Sequence, residues 1–138
     1  MSKKLKKHIT VVLSGEGADE IFCGYGRLFR SPDDYKKLKL INKLPNRLKK
    51  KYSTDFIKKY KNRKFKDEMD HFLYLYSYFP LEEKKYLFTN KMNNLIKDDI
   101  DIKKIFRKYF NRSKKLSYCK KIQYVLEKLH LPGLLLRV

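Results

Sequence analysis

Cysteine is scarce in this chain of 138 residues: there are two, Cys23 and Cys119, with no CxxC and no repeated spacing. That argues against a disulfide framework and a cysteine zinc site, and it suits a reducing cytoplasm. The three histidines, His8, His71 and His130, do not pair at metal-ligand spacing and are assigned surface or structural roles. Long apolar runs are missing too. No window approaches the roughly 20 residues of a membrane-spanning helix, so no membrane partner is expected. The basic start "MSKKLKKHITVVL" has too short an apolar part for a signal sequence and runs into Ser14-Gly15-Glu16 without a cleavage pattern. Acids are few as well: 15 Asp+Glu against 35 Lys+Arg leave a formal charge of +20. A field of that size attracts polyanions. Yet the lysines are scattered through every segment (Lys49, Lys50, Lys51, then Lys58, Lys59, Lys61), and Tyr and Phe fall at helical spacing. The expectation is therefore a lysine-rich surface over an aromatic core, with nucleic acid bound only non-specifically.

Strands are scarcer still. Ile9 to Leu13 reads as one, because Ile9, Thr10, Val11 and Val12 are β-branched and the run stops at Ser14-Gly15. Its lack of polar alternation is that of a parallel strand buried on both faces. No comparable second strand follows. Helices are expected instead over Ala18 to Tyr25, ended by Gly24 and Gly26, and from a capping Ser31 with Pro32 at the first helical position to about Lys43, before Pro45. Further helices are expected over Thr54 to Lys61, Phe65 to Tyr78, "PLEEKKYLF" after Pro80, Asn90 to Lys97, Asp101 to Tyr109 and Ser117 to Leu129. Pro132 is read as opening a new apolar helix with Leu134, Leu135 and Leu136. A lone two-faced strand and an unfinished apolar tail together predict part of a larger domain.

The stretch "VVLSGEGADEIFCGYG" carries the chemistry. A dinucleotide fingerprint fails at the third glycine, where Glu20 stands, and a P-loop fails for want of Lys-Ser or Lys-Thr. A nucleotide site that includes a metal fits better. Backbone N–H groups of Ser14, Gly15, Glu16 and Gly17 can receive an anion at the start of a helix. Asp19 can ligate Mg²⁺ through oxygen, which removes the repulsion between carboxylate and phosphate. Glu16 lies between two residues without side chains and can approach a reacting group closely. Glu20 is read as a partner of the helix dipole. Arg27 and Arg30 could approach phosphates, with surface pairing the simpler role, and Cys23 is read as a small buried thiol without a nearby histidine.

"VVLSGEGADEIFCGYGRLFRSP", "MDHFLYLYSYFPLEEKKYLF" and the terminal "LHLPGLLLRV" together resemble the synthetase domain of glutamine-hydrolysing asparagine synthetases. The resemblance implies an α/β fold of the PP-loop, adenine-nucleotide α-hydrolase-like class, of which residues 1–138 would hold one parallel strand followed by mostly α-helices. It implies an ATP-dependent amide ligase that activates aspartate as β-aspartyl-AMP and lets ammonia from glutamine attack it. Ser14, Gly15 and Gly17 would contact the nucleotide, Glu16 would be catalytic, and Asp19 would ligate Mg²⁺. Cys23 stands where the family more usually has glycine. The glutaminase half with its cysteine after the initiator methionine, the SGGxDS pyrophosphate loop and the later catalytic segment are not present in these residues. The chain is thus expected to be a partial synthetase domain, inactive alone and dependent on the missing parts of the synthetase, with a homodimer as a further possible partner. A related amide ligase closing a β-lactam or peptide ring, and a basic nucleic-acid-binding module, stand as alternatives.

Overall fold

The computed structural model describes residues 4, 6–11, 15, 17–49, 60, 63–79, 81–96 and 99–135. These are almost wholly helical: α1 (Ala18–Phe22), α2 (Gly26–Phe29), α3 (Ser31–Lys43), α4 (Asn46–Lys49), α5 (Glu68–Tyr76), α6 (Leu81–Leu87), α7 (Asn90–Ile96), α8 (Ile100–Arg112) and α9 (Tyr118–Val125), which runs on into a π-helical segment, Leu126–Leu135. No strand occurs among the described residues. Of the expected strand, Ile9 and Val11 lie outside regular structure, with Val11 77% exposed, and Val12 and Leu13 fall outside the described residues. A strand needs a partner to pair with, and none is described. The helix expected over Thr54 to Lys61 also falls almost wholly outside them; only Tyr60 is described there.

Local chemistry sets the helix ends. Asp67 accepts the N–H of Asp70 at 2.9 Å, so α5 starts at Glu68 rather than at Phe65. Ser31 does not cap α3. It lies inside the helix, where its hydroxyl donates to the Leu28 carbonyl at 2.5 Å, while Arg30, itself helical in backbone, precedes it. The end at Lys43 is as expected, since Pro45 forces Leu44 into an extended conformation. Ser117 caps α9 by accepting from the N–H of Lys120. Pro132 does not begin a helix but lies inside the π-helical stretch, whose wider turn accommodates a residue that has no N–H to give.

The core follows from helical spacing. Tyr35 and Leu38 on α3, Met69, Phe72 and Leu75 on α5, Phe106 and Phe110 on α8, and Tyr118, Ile122 and Val125 on α9 are all buried in one cluster with Leu28, Tyr60 and Leu126. His71 lies among its rings, 5.0 Å from Tyr35, 4.9 Å from Phe65 and 5.4 Å from Tyr60 between centroids, and its Nδ1 is 2.9 Å from the Tyr118 hydroxyl. The aromatics expected to build a core do so. None of the described side chains on α6 and α7 is buried, and Lys84 ties this pair to the start of α8 through Asp99 at 2.6 Å. No helix among the described residues is long and apolar enough to cross a membrane.

Candidate functional site

A five-residue helix such as α1 does not hold its place through its own hydrogen bonds. Its position comes from the rest of the chain. Gly17, at φ 91°, makes the left-handed entry that a side chain would strain, and it is buried under the π-helical segment: a Cβ there would stand 2.7 Å from Leu131 Cδ1. The next turn of the same face carries Glu20, only 1% exposed. Its Oε1 accepts a hydrogen bond from the Tyr25 hydroxyl at 2.6 Å and lies 3.5 Å from His130 Nε2. The Ile21 carbonyl accepts from Gln123 Nε2 of α9 at 2.9 Å. Residues 17, 20 and 21 thus form the attached face, at the spacing that puts helical residues side by side.

The opposite face holds Ala18, Asp19 and Phe22, all exposed, with Phe22 at 80%. The Asp19 carboxylate lies over the end of its own helix, where a Cβ on Gly24 would stand 1.9 Å from Oδ1, and the Asp19 carbonyl accepts from Gly24 N–H at 2.9 Å. Gly15 is exposed, and its carbonyl accepts from Ala18 N–H at 3.2 Å, closing the turn. Ser14 and Glu16 lie outside the described residues. Cys23, not Gly24, ends α1, in a left-handed conformation at φ 63°. Gly26, expected as a second terminator, begins α2. Burial, then the neighbouring Cys119 and Glu127, push the Cys23 thiol up, which disfavours the thiolate.

Behind α1 the Glu20 partners border a cavity of about 490 Å³, lined among others by Tyr25, Arg27, Leu28, Leu75, Tyr76 and His130. His130 Nδ1 is 2.7 Å from the Tyr76 hydroxyl. The hydrogen bond to Glu20, with burial and the carboxylate's charge added, pushes the Tyr25 phenol up to about 12. None of Gly15, Gly17 and Asp19 lines this cavity. No group of three or more His, Cys, Asp or Glu side chains able to hold a metal occurs among the described residues. Asp19 fits Mg²⁺ only as a single carboxylate, the kind of ligand that holds this ion together with phosphate and water oxygens.

A glycine turn opening a short helix, with one carboxylate outside and one locked inside, is the setting for the comparison with known proteins. The sequence model described as asparagine synthase matches residues 1–138. The chain belongs to the asparagine synthase family. Over 50 residues it is 50% identical to "Asparagine synthetase [glutamine-hydrolyzing] 1" of Bacillus subtilis (strain 168), a stretch covering 36% of this chain and 7% of that protein. The chain of 138 residues therefore spans only a small part of that relative's length. No solved structure matches.

Within this member of the asparagine synthase family, sequence reasoning missed Glu20 and His130. A glutamate in a first helical turn reads as a solvated dipole partner. Only the tyrosine five residues on, Tyr25, signals otherwise, because a loop turning back over a short helix can bring that hydroxyl to the carboxylate. His130 carries no signal in its own neighbourhood.

Proposed function

We propose that residues 1–138 are part of the synthetase domain of an ATP-dependent amide ligase that converts aspartate to asparagine, and that they need the remaining parts of the synthetase to act. The observation that carries this is the asparagine synthase match across the whole chain, with the glycine turn of that family leading into α1. In this reading an aspartate side-chain oxygen attacks the α-phosphorus of ATP, the bond to pyrophosphate breaks, and β-aspartyl-AMP forms. Ammonia derived from glutamine then attacks the acyl carbon, AMP leaves, and the nitrogen loses a proton.

Ser14, Gly15 and Gly17 would hold the nucleotide through backbone N–H groups at the helix start, where the dipole favours anions. Asp19, on the exposed face of α1, would hold Mg²⁺. When bound, that ion neutralises charge on the phosphate oxygens. Glu16 would be the catalytic carboxylate, acting at adenylate formation. The exposed side chains of Ala18, Asp19 and Phe22 mark the face of α1 that would meet substrate or the remaining parts of the synthetase.

The test is a chimera in which this chain replaces the matching segment of a complete family synthetase. Aspartate-dependent release of pyrophosphate from ATP, followed by asparagine formation with ammonia, is the expected result, while the chain of 138 residues alone releases none. Turnover by the chain alone, free of contaminating enzyme, would contradict its dependence on missing parts. A folded chimera that uses another carboxylic acid in place of aspartate would reassign the substrate.

A further inference from the structure

The asparagine-forming reading gives no role to the most buried carboxylate described. Glu20 is 1% exposed, yet it belongs to the same SGEGADE turn as the proposed site residues. A carboxylate removed from water requires donors from the protein. Among the described residues two groups face Glu20, and they come from different parts of the chain: the Tyr25 hydroxyl at 2.6 Å, from the loop after α1, and His130 Nε2 at 3.5 Å, from the π-helical segment.

Hydrogen-bonding capacity limits the arrangement. A phenol has a single proton, and Tyr25 directs its own to Glu20 Oε1. His130 is bonded on its other side, through Nδ1, to the Tyr76 hydroxyl at 2.7 Å. If Nδ1 carried the proton of a neutral ring, the lone pair of Nε2 would point at the carboxylate and repel it. If Tyr76 donates to Nδ1, Nε2 carries the proton and presents it to Glu20. An imidazolium presents the same Nε2 proton, so in either form the ring donates toward Glu20. The rings enforce the geometry: His130 meets Tyr25 edge-on at 6.0 Å and Tyr76 edge-on at 5.8 Å between centroids.

This relay adjoins a second grip. His130 and Leu131 are consecutive, and they hold Glu20 and Gly17, which are neighbours on one face of α1. With Gln123 on the Ile21 carbonyl, these contacts set how α1 is rotated about its axis. That rotation decides where the opposite face, with Asp19, is directed. We propose that Glu20 and His130 are positioning residues of the synthetase site, the buried carboxylate and the Nε2-protonated imidazole turning α1 so that Asp19 faces outward, with Tyr76 selecting the tautomer. The idea rests on the amide-ligase reading for what Asp19 does, but the orientation of α1 is measurable without any turnover.

The experiment uses the full chain and nuclear magnetic resonance. The imidazole ¹⁵N shifts of His130 should show a protonated Nε2. Glu20→Ala should speed amide exchange at Ile21 and Gly24, whose N–H groups close α1 onto the carbonyls of Gly17 and Asp19, by about tenfold or more, as expected for local opening. Exchange within α8 and α9 should stay unchanged. Glu20→Gln, which keeps the shape and an acceptor for Tyr25, should recover much of the protection. Should Glu20→Ala fail to fold, Tyr76→Phe serves instead: it leaves every direct contact to α1 in place, and it should shift the tautomer of His130 and speed exchange at Ile21 and Gly24. A His130 unprotonated at Nε2, equal acceleration across the whole chain, or no change in either Tyr76→Phe readout would overturn the proposal. Absent pyrophosphate release in the chimera with these readouts intact would instead count against the amide-ligase reading.

Discussion

The carboxylate of Asp19 occupies the space that a side chain on Gly24 would need: a Cβ there would stand 1.9 Å from Asp19 Oδ1. Glycine at this position leaves room for the carboxylate that α1 exposes. Asp19 Oδ1 can swing aside, but Asp19 Cα, a backbone atom 3.1 Å from that Cβ, must also yield, so Gly24→Ala should lower stability modestly, by about 1 kcal/mol. Its larger effect belongs to the site. In the chimera, Gly24→Ala should weaken magnesium-dependent use of ATP in the same direction as Asp19→Asn, because both displace or neutralise the same oxygen. Normal ATP use by Gly24→Ala at low magnesium, beside an impaired Asp19→Asn, would show that the carboxylate does not act from this position.

Gly17 should be far less tolerant. Its φ of 91° suits glycine, and Leu131 closes the space above it, whereas among the described residues nothing comes within 4 Å of a Cβ on Gly133. Gly17→Ala is expected to cost at least about 1–2 kcal/mol, the penalty for a left-handed backbone with a Cβ. Gly133→Ala, in helical surroundings, should stabilise by about 0.5–1 kcal/mol. Urea melts of the two variants beside the parent chain check the opposite signs.

The same left-handed demand explains what the sequence shows of this region and what it hides. The glycine turn was legible because Gly15 and Gly17 punctuate an apolar run, and α8 and α9 because Phe106 and Phe110, then Tyr118, Ile122 and Val125, recur at helical spacing. The end of α1 was misplaced by three residues, at Tyr25 instead of Phe22, since cysteine gives no hint of φ 63°. The burial of Glu20 was invisible for a different reason. Two of the side chains that build its surroundings, Tyr76 and His130, lie far along the chain, and the π-helical segment that delivers His130 contains a proline that reads as a start. A single expected strand had no described partner to confirm it. Of the five proposed site residues, Gly15, Gly17 and Asp19 can be placed on the turn and on opposite faces of α1.

Alkali should unfold the chain through its tyrosines. Burial first, then Glu68, Asp67 and Asp70, push the phenol of Tyr35 up; burial first, then Tyr78 and Glu20, do so for Tyr76, and burial with a hydrogen bond to Asp34 for Tyr60. Burial also raises Tyr118, and the bond to Glu20 takes Tyr25 to about 12. A phenol raised in the folded state adds stability that is complete below the unfolded value of about 10 and is lost as pH climbs through the folded value. Ultraviolet titration should therefore show an early group of exposed tyrosines and a late group that ionises together with loss of helix. Tyr25→Phe should remove a late-titrating phenol. Ionisation of all eleven tyrosines in one step near the ordinary value would contradict the buried network.

Acid acts through Asp67. Burial alone would raise its carboxyl, but the N–H of Asp70 and the guanidinium of Arg107 outweigh it and hold the group below the usual carboxylate range. A depressed carboxyl contributes stability above the unfolded value of about 3.9 and loses it as pH falls through the folded value. Asp67→Asn keeps a capping oxygen and should differ from the parent at pH about 7 but converge with it below pH about 3. Asp67→Ala also loses the cap and should cost about 1 kcal/mol or more at neutral pH. Thermal melts across that range decide the matter, and an Asn variant whose deficit persists in acid would show that charge is not what Asp67 contributes.

The catalytic assignment is tested last and most directly, in the chimera, because it concerns turnover. Asp19→Asn should raise the magnesium requirement for ATP use, since a neutral amide is a poorer ligand for a hard cation, and added magnesium should partly restore it. Glu16→Gln keeps size and removes charge. It should leave the KM for ATP near its parent value while lowering kcat by about 100-fold or more, the pattern of a group that acts mainly in the transition state. Pyrophosphate release measured without any ammonia source then locates the step. If release is slow in Glu16→Gln, the carboxylate acts in adenylate formation, as proposed; if release is normal and only asparagine formation is slow, it acts when ammonia attacks the acyl carbon. A Glu16→Gln chimera with full pyrophosphate release and full asparagine synthesis would leave the carboxylate between the two glycines without a chemical role, and the catalytic assignment would fall.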